Sequence, residues 1–185
     1  MGKVDEERNY WDSAATDPEV DIKYICDMPT DKCLQAIGEL EGNVLEIGCG
    51  VGRLLKPGYW GIDISQNMLD IAKKRIKTAT LLLNDGRTIP LPDESIDSVY
   101  CMLVFQHLKP KAVKGYIKEV GRVLARNGKF RFQFVYGTER NPYSNKYTFK
   151  EFTDWLNEAG LTVTAYDKHL VHEEWNWITA CKLST

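Results

Sequence analysis

The chain has 185 residues, 43% hydrophobic and 27% charged, with a formal net charge of −2 at pH 7. Such a composition suits one globular domain with a sizeable core, excludes a low-complexity or collagen-like polymer, and argues against a dedicated nucleic-acid binder, which would carry a basic excess. Cysteines at 26, 33, 49, 101 and 181 form no CxxC pair, which reads as reduced thiols in a cytoplasmic compartment and no metal site.

No apolar stretch approaches the roughly 20 residues that a membrane span needs, and Met1–Asp12 lacks the apolar run of a signal peptide. No membrane association is expected. Residues 1–42 read as helical or irregular. Asp17-Pro18 opens one predicted helix, to about Met28. A second runs from Thr30 to Leu40 on a stripe of Leu34, Ile37 and Leu40, and Glu41-Gly42 ends it.

Strands then alternate with helices. Val44–Ile47 is a short apolar run stopping at glycines, as a buried parallel strand does. Tyr59–Ile64 is the second strand. Ser65 caps a helix to about Lys77, with Met68, Leu69, Ala72 and Ile76 inward. Thr80–Leu83 and Ile96–Leu103 are the third and fourth strands. Pro110 starts a helix striped by Val113, Tyr116, Ile117, Val120, Val123 and Leu124. Asn127-Gly128 is expected to close it before a fifth strand over Lys129–Tyr136. Thr148-Phe149-Lys150-Glu151 is a capping box, with Gly160 as the stop. Leu161–Tyr166 and Trp175–Leu183 are the last strands. This alternation predicts an α/β, doubly wound sheet with helices on both faces and ligands beyond the carboxyl ends of its strands.

The chemistry-bearing residues sit at those strand ends. After the first strand come Gly48, Gly50 and Gly52, which let the backbone turn and approach a ligand, and a following helix N-terminus would offer N–H groups. A dinucleotide would use such a turn too, but its GxGxxG fingerprint needs glycine where this chain has Arg53. Only ten residues separate Gly52 from Asp63, and Pro57-Gly58 limits any helix there to about one turn. Asp63, at the second strand end, suits a ribose or a plain helix start. Asp85, in Asn84-Asp85-Gly86-Arg87, suits a ligand amine or a solvated turn. His107 suits a general base or the opening of the next helix.

The run Glu46-Ile47-Gly48-Cys49-Gly50-Val51-Gly52 resembles the (D/E)xGxGxG motif of class I, Rossmann-like S-adenosylmethionine-dependent methyltransferases. So do Asp63–Arg75, Ile89–Val99 and the turn Arg122–Lys129, so the likeness spans residues 40–183. It implies a mostly parallel seven-stranded sheet in the order 3-2-1-4-5-7-6, last strand antiparallel. It implies S-adenosylmethionine as cofactor and S-adenosylhomocysteine as product. By resemblance Glu46, Gly48, Cys49, Gly50 and Gly52 form the cofactor turn. Asp63 takes the ribose, and Ile64 and Met68 lie against the adenine. Asp85, Gly86 and Arg87 serve the adenine edge, and Cys101 and Met102 line the methionine end. Tyr10-Trp11-Asp12 resembles a family segment that folds over the cofactor, which makes residues 1–42 a helical lid on a single domain and Tyr10 a cofactor contact. Simple helix packing would explain it equally.

Several features carry less. Asn141-Pro142-Tyr143 lacks the second proline of the nucleic-acid amino-methyltransferase box and follows the wrong strand. His169 and His172 have no third ligand, so no metal is expected. Trp175 and Trp177 alternate as strand packing. The reading is methyl transfer to a small-molecule acceptor at O or N, His107 being the candidate base. A protein or nucleic-acid acceptor, or a non-catalytic relative, stays open.

Overall fold

The structure, a computed structural model, describes residues 3–17, 29–139 and 144–183. The expected Asp17–Met28 helix and the Asn141-Pro142-Tyr143 tripeptide fall essentially outside them. In chain order the elements are α1 (Lys3–Ala14), α2 (Thr30–Ile37), β1 (Val44–Ile47), β2 (Trp60–Asp63), α3 (Gln66–Arg75), β3 (Thr80–Leu83) and β4 (Ile96–Cys101). A 3-10 turn (Phe105–His107) follows, then α4 (Pro110–Val123), β5 (Leu124–Val135), α5 (Phe149–Glu158), β6 (Thr162–Lys168) and β7 (Trp175–Cys181).

The seven strands form one sheet ordered β3-β2-β1-β4-β5-β7-β6. β1 to β5 pair in parallel, and β7 runs antiparallel to both β5 and β6. The predicted order and sense hold. Side chains alternate across each strand. Leu45 and Ile47 join the core beneath α4 and α5, with Ile117, Val120, Phe152 and Leu156. Val44 and Tyr100 face the other side, against Cys33, Ala36 and Ile37 of α2 and Trp177 of β7. Trp175 and Trp177 are thus packing residues. Phe132 stacks on Phe130 at 4.7 Å and meets Phe152 at 4.8 Å, and each such buried ring contributes roughly 2–3 kcal/mol.

Three local expectations need correction. α2 ends at Ile37, because Gly38 turns the chain away with a positive φ of 81° that glycine tolerates, so Leu40 lies beyond the helix. β5 begins at Leu124 and not at Lys129. Its residues 125–128 loop out between the Ile96–Leu124 and Ser98–Lys129 pairs. Asn127 does turn left-handed (φ 62°), but it serves this bulge, its N–H donating to the Lys182 carbonyl at 2.7 Å. A sequence cannot tell a bulge from a helix stop when both use the same backbone conformation.

The third correction concerns the connection from β1 to β2. No helix forms in it: residues 48–59 are turns, bends and irregular backbone. Pro57-Gly58 leaves too few residues for even one stable turn. The sheet's switch in strand order falls between β1 and β4, and a cavity opens beside this helix-free loop.

Candidate functional site

The cavity has a volume of about 360 Å³ and lies beyond the carboxyl ends of β1, β2 and β4, where an open α/β sheet holds its ligands. Its floor is the glycine loop. Gly48 has φ 69°, and a Cβ there would fall 2.3 Å from Val104 Cγ2. Gly50 has φ 50°, and a Cβ there would meet no protein atom within 4 Å. The loop is therefore shaped for close approach from the cavity side.

Asp63 ends β2 and fastens this loop. Its Oδ2 accepts the Gly50 N–H at 2.8 Å, and its Oδ1 accepts the Ser65 N–H at 2.9 Å. The Ile64 amide also draws on this carboxylate, whose roughly four lone-pair sites are not exhausted by three N–H groups. Burial raises its carboxyl above the ordinary range, against the lowering pull of those amides. Ser65 caps α3 by accepting from the Met68 N–H at 3.1 Å, which sets Ile64 and Met68 on the cavity wall.

Glu46 is buried beneath the loop. Burial pushes its carboxyl up to about 8, with Asp63 adding to the rise and Tyr100 and Arg53 opposing it. The Tyr100 hydroxyl lies 2.9 Å from Glu46 Oε2 and 3.1 Å from the Leu54 carbonyl. A phenol has one proton and cannot donate to both. A protonated Glu46 completes the set: it donates to the Tyr100 oxygen, which donates to Leu54.

On the third side Asn84, and not Asp85, reaches the wall. Asn84 Oδ1 accepts from the Tyr116 hydroxyl at 2.5 Å and the Gly86 N–H at 2.6 Å. Its amide also donates to the Thr88 carbonyl. Asp85 is exposed, its Oδ1 taking the N–H groups of Arg87 and Thr88 at 2.8 and 2.7 Å. After β4, Leu103 holds a left-handed φ of 61°, its N–H donating to the buried Gln133 side chain at 3.0 Å. Such a residue stores strain of order 1–3 kcal/mol. It turns the chain so that Leu103, Val104, Gln106 and His107 reach the cavity.

α1 covers the mouth. Asp12 accepts the Ser65 hydroxyl at 2.5 Å, and its carbonyl accepts the Asn67 amide at 3.1 Å. Arg8 Nε donates to the Ile64 carbonyl at 3.1 Å. These bonds bring Glu7, Tyr10 and Trp11 to the cavity, the Trp11 ring standing edge-on to His107 at 5.5 Å.

Of the residues singled out in the sequence, Tyr10, Glu46, Gly48, Cys49, Gly50, Asp63, Ile64, Met68, Gly86, Met102 and His107 come together around this cavity. Gly52, Asp85, Arg87 and Cys101 do not line it. Gly52 packs its backbone against Ala72 and Leu55, and Cys101 is wholly buried. The sequence reading missed Glu7, Asn84, Gln106 and Tyr116 on the wall. Tyr116 was assigned to the apolar stripe of α4, and only its hydroxyl signalled a second use. Among the described residues no group of three or more His, Cys, Asp or Glu is placed to hold a metal ion, and no helix is long and apolar enough to cross a membrane. His169 Nδ1 meets the Glu173 carbonyl, and His172 Nδ1 accepts the Glu174 N–H at 3.2 Å.

Residues 45–132 match the family described as "Methyltransferase domain". The chain is 30% identical over 117 residues to an uncharacterized methyltransferase of Anoxybacillus flavithermus, covering 60% of this chain and 55% of that protein. It is 32% identical over 94 residues to the demethylmenaquinone methyltransferase of Thermotoga maritima, covering 46% and 40%. The chain thus spans about half the length of such relatives. Two solved structures share its fold. One is the putative methyltransferase in complex with the Haloferax volcanii Trm112 methyltransferase activator, with TM-score 0.76, 18% identity, and 94% and 98% of the two chains covered. The other is the DhpI–SAH complex, with TM-score 0.72, 19% identity, and 97% and 96% covered.

Proposed function

We propose that the chain is a class I, Rossmann-like, S-adenosylmethionine-dependent methyltransferase, and that it transfers a methyl group from S-adenosylmethionine to a small-molecule acceptor. One observation carries the reading. Asp63 ties the end of β2 to Gly50 and faces a single cavity that the glycine loop, Met68 and Met102 also line. A carboxylate at that strand end is suited to a ribose hydroxyl. Ile64 and Met68 offer an apolar slot for a purine, beside Asn84 and Gly86. The open space over Gly50 is the cradle that a bulkier residue would fill. These residues fit the cofactor.

When bound, the cofactor would supply an electrophilic methyl on a sulfonium to an acceptor lone pair, with S-adenosylhomocysteine as the leaving product. The chain's own part is to position two molecules and exclude water. α1, with Tyr10 and Trp11, serves as the lid of residues 1–42 and shields the mouth. His107 stands on the wall where an acceptor enters and takes the proton from a hydroxyl acceptor. The acceptor we assign is a small molecule. Relatives named for small acceptors, such as the Thermotoga demethylmenaquinone enzyme, support it.

Calorimetry with S-adenosylhomocysteine and with NAD tests the cofactor. Micromolar binding of the former and none of the latter is expected, and NAD binding alone would end the proposal. A labelled-methyl screen over phenols, amines, carboxylates, peptides and tRNA then tests the acceptor class. Transfer only to peptide or tRNA would replace the small-molecule reading.

A further inference from the structure

Two glutamine side chains beside the turn after β4 each leave a buried polar atom without a hydrogen-bond partner among the described residues: Gln106 Oε1 and Gln133 Nε2. Such atoms destabilise a folded chain, and native structures keep few of them. The two amides differ in place. Gln133 is wholly buried in β5, and its Oε1 accepts the Leu103 N–H at 3.0 Å. Gln106 stands on the cavity wall, one residue before His107. There the missing partner can come from a ligand.

The backbone under Gln106 is braced on both sides. Phe105 is wholly buried and meets the rings of Phe130, Phe132 and Phe152 at 6.4, 5.4 and 6.0 Å. The Gln106 carbonyl accepts from the Asn145 N–H at 2.7 Å and from Asn145 Nδ2 at 3.2 Å. Asn145 is itself buried, and its Oδ1 accepts from Lys109 Nζ at 3.2 Å. The side chain thus projects from a fixed turn, and a ligand that meets it has little main chain to order. Rotation about the last bond of a glutamine is soft, which brings Oε1 to bear on that ligand.

We propose that Gln106 selects the methyl acceptor, its Oε1 taking a hydrogen bond from an acceptor N–H or O–H that stays in place while the methyl moves. The inference rests on the methyltransferase reading above and narrows it to acceptors with such a donor. A lone alcohol or phenol fails the requirement, because its one proton goes to His107. A vicinal diphenol meets it. The reacting oxygen bonds the methyl carbon and gives its proton to His107, the carbon–sulfur electron pair stays on sulfur, and the second hydroxyl donates to Gln106. A secondary amine also meets it. The nitrogen lone pair bonds the methyl carbon, the carbon–sulfur pair stays on sulfur, and the N–H remains on Gln106 until the ammonium product sheds its proton to water.

The test is labelled-methyl transfer by the intact chain to two matched pairs. Catechol and 2-methoxyphenol both carry a phenol to methylate, but only catechol has a second O–H. N-Methylbenzylamine and N,N-dimethylbenzylamine both carry a nitrogen lone pair, but only the first has an N–H. The donor-bearing member is expected to be favoured about 10- to 100-fold in kcat/KM, the range for leaving a buried polar group unpaired. In Gln106→Met that preference should fall below about twofold, with S-adenosylhomocysteine affinity by calorimetry within about twofold of wild type. The substitution also removes an unpaired buried oxygen, so the ligand-free variant should melt no more than about 2 °C below wild type. Equal rates within both pairs, a preference that survives in Gln106→Met, a larger fall in melting temperature, or transfer to none of the four by a wild type that binds S-adenosylhomocysteine would each overturn the inference and leave the cofactor assignment standing. Failure of wild type to bind S-adenosylhomocysteine would instead remove the methyltransferase reading, and this inference with it.

Discussion

Glu46 shows how one buried carboxyl couples stability to pH. Its carboxyl is raised from 4.5 to about 8, so the folded state holds a proton that the unfolded chain releases. Stability therefore declines as pH rises from about 4.5 to about 8 and levels off above. Glu46→Gln, whose amide can also donate to the Tyr100 oxygen, should flatten that decline in urea unfolding followed from pH 5 to 9. An unchanged slope would show that Glu46 is ionised in the folded state. For His107, replacement by Ala should cut turnover of a hydroxyl acceptor by ~100-fold or more, while S-adenosylhomocysteine affinity stays within about twofold. Full turnover would leave the imidazole as a packing partner of Trp11. Glu46, Asp63 and His107 were legible as cavity residues because each lies in or after a strand that its own sequence announces. Asn84 was displaced in that reading by its acidic neighbour. Which of two adjacent side chains turns inward depends on Tyr116, 32 residues away.

At the scale of elements, α1 is the clearest addition to the sequence reading. Its residues carry an aromatic pair and a high charge density, with no long apolar stripe to announce a packed helix. Its seat is polar and distant in sequence: Asp12 on Ser65 and Asn67, and Arg8 on Ile64. Asp12 also puts a carboxylate at the N-terminus of α3, where the helix dipole favours it. Asp12→Ala should loosen α1. Amide exchange in residues 3–14 is expected to quicken, and S-adenosylhomocysteine affinity to fall about five- to tenfold, for the loss of one charge-assisted bond partly exposed to water. Unaltered exchange would mean that packing of Ala14 against Val51 and Met68 holds α1 by itself. α5 is the opposite case. Its Thr148–Glu151 box is reciprocal, with the Thr148 N–H on Glu151 Oε2 at 2.8 Å and the Glu151 N–H on Thr148 Oγ1 at 3.2 Å. A four-residue motif of that kind needs no tertiary partner to be recognised.

For the molecule as a whole, Arg131 joins pieces that are far apart in sequence. It projects from β5 toward α2, where its guanidinium donates to the Ala36 carbonyl at 3.1 and 2.9 Å. It also reaches Asp167 of β6 at 2.6 Å and Thr179 of β7 at 2.9 Å, and lies 5.1 Å from the centre of the Trp177 ring. The side chain is only 9% exposed, so truncating it strands a buried carbonyl and leaves Asp167 unpaired. Arg131→Ala should cost about 3 kcal/mol and lower Tm by roughly 6–12 °C for a chain of this size. A fall under about 2 °C in calorimetric melting would show that water replaces the guanidinium at no cost.

Strand–helix alternation, the inward stripes and caps of the helices, and the acidic strand ends are legible from sequence, because these depend on residues a few positions apart. Strand order came through the family likeness of the glycine run and its neighbours. Tertiary packing settles that no helix follows that run, that Asn127-Gly128 makes a bulge, that Asn84 and Tyr116 share the wall, and that Arg53 on the cavity wall meets Cys33 of α2. Each of these depends on a partner dozens of residues away or on the space left when one connection is too short. Local pattern carries no record of either.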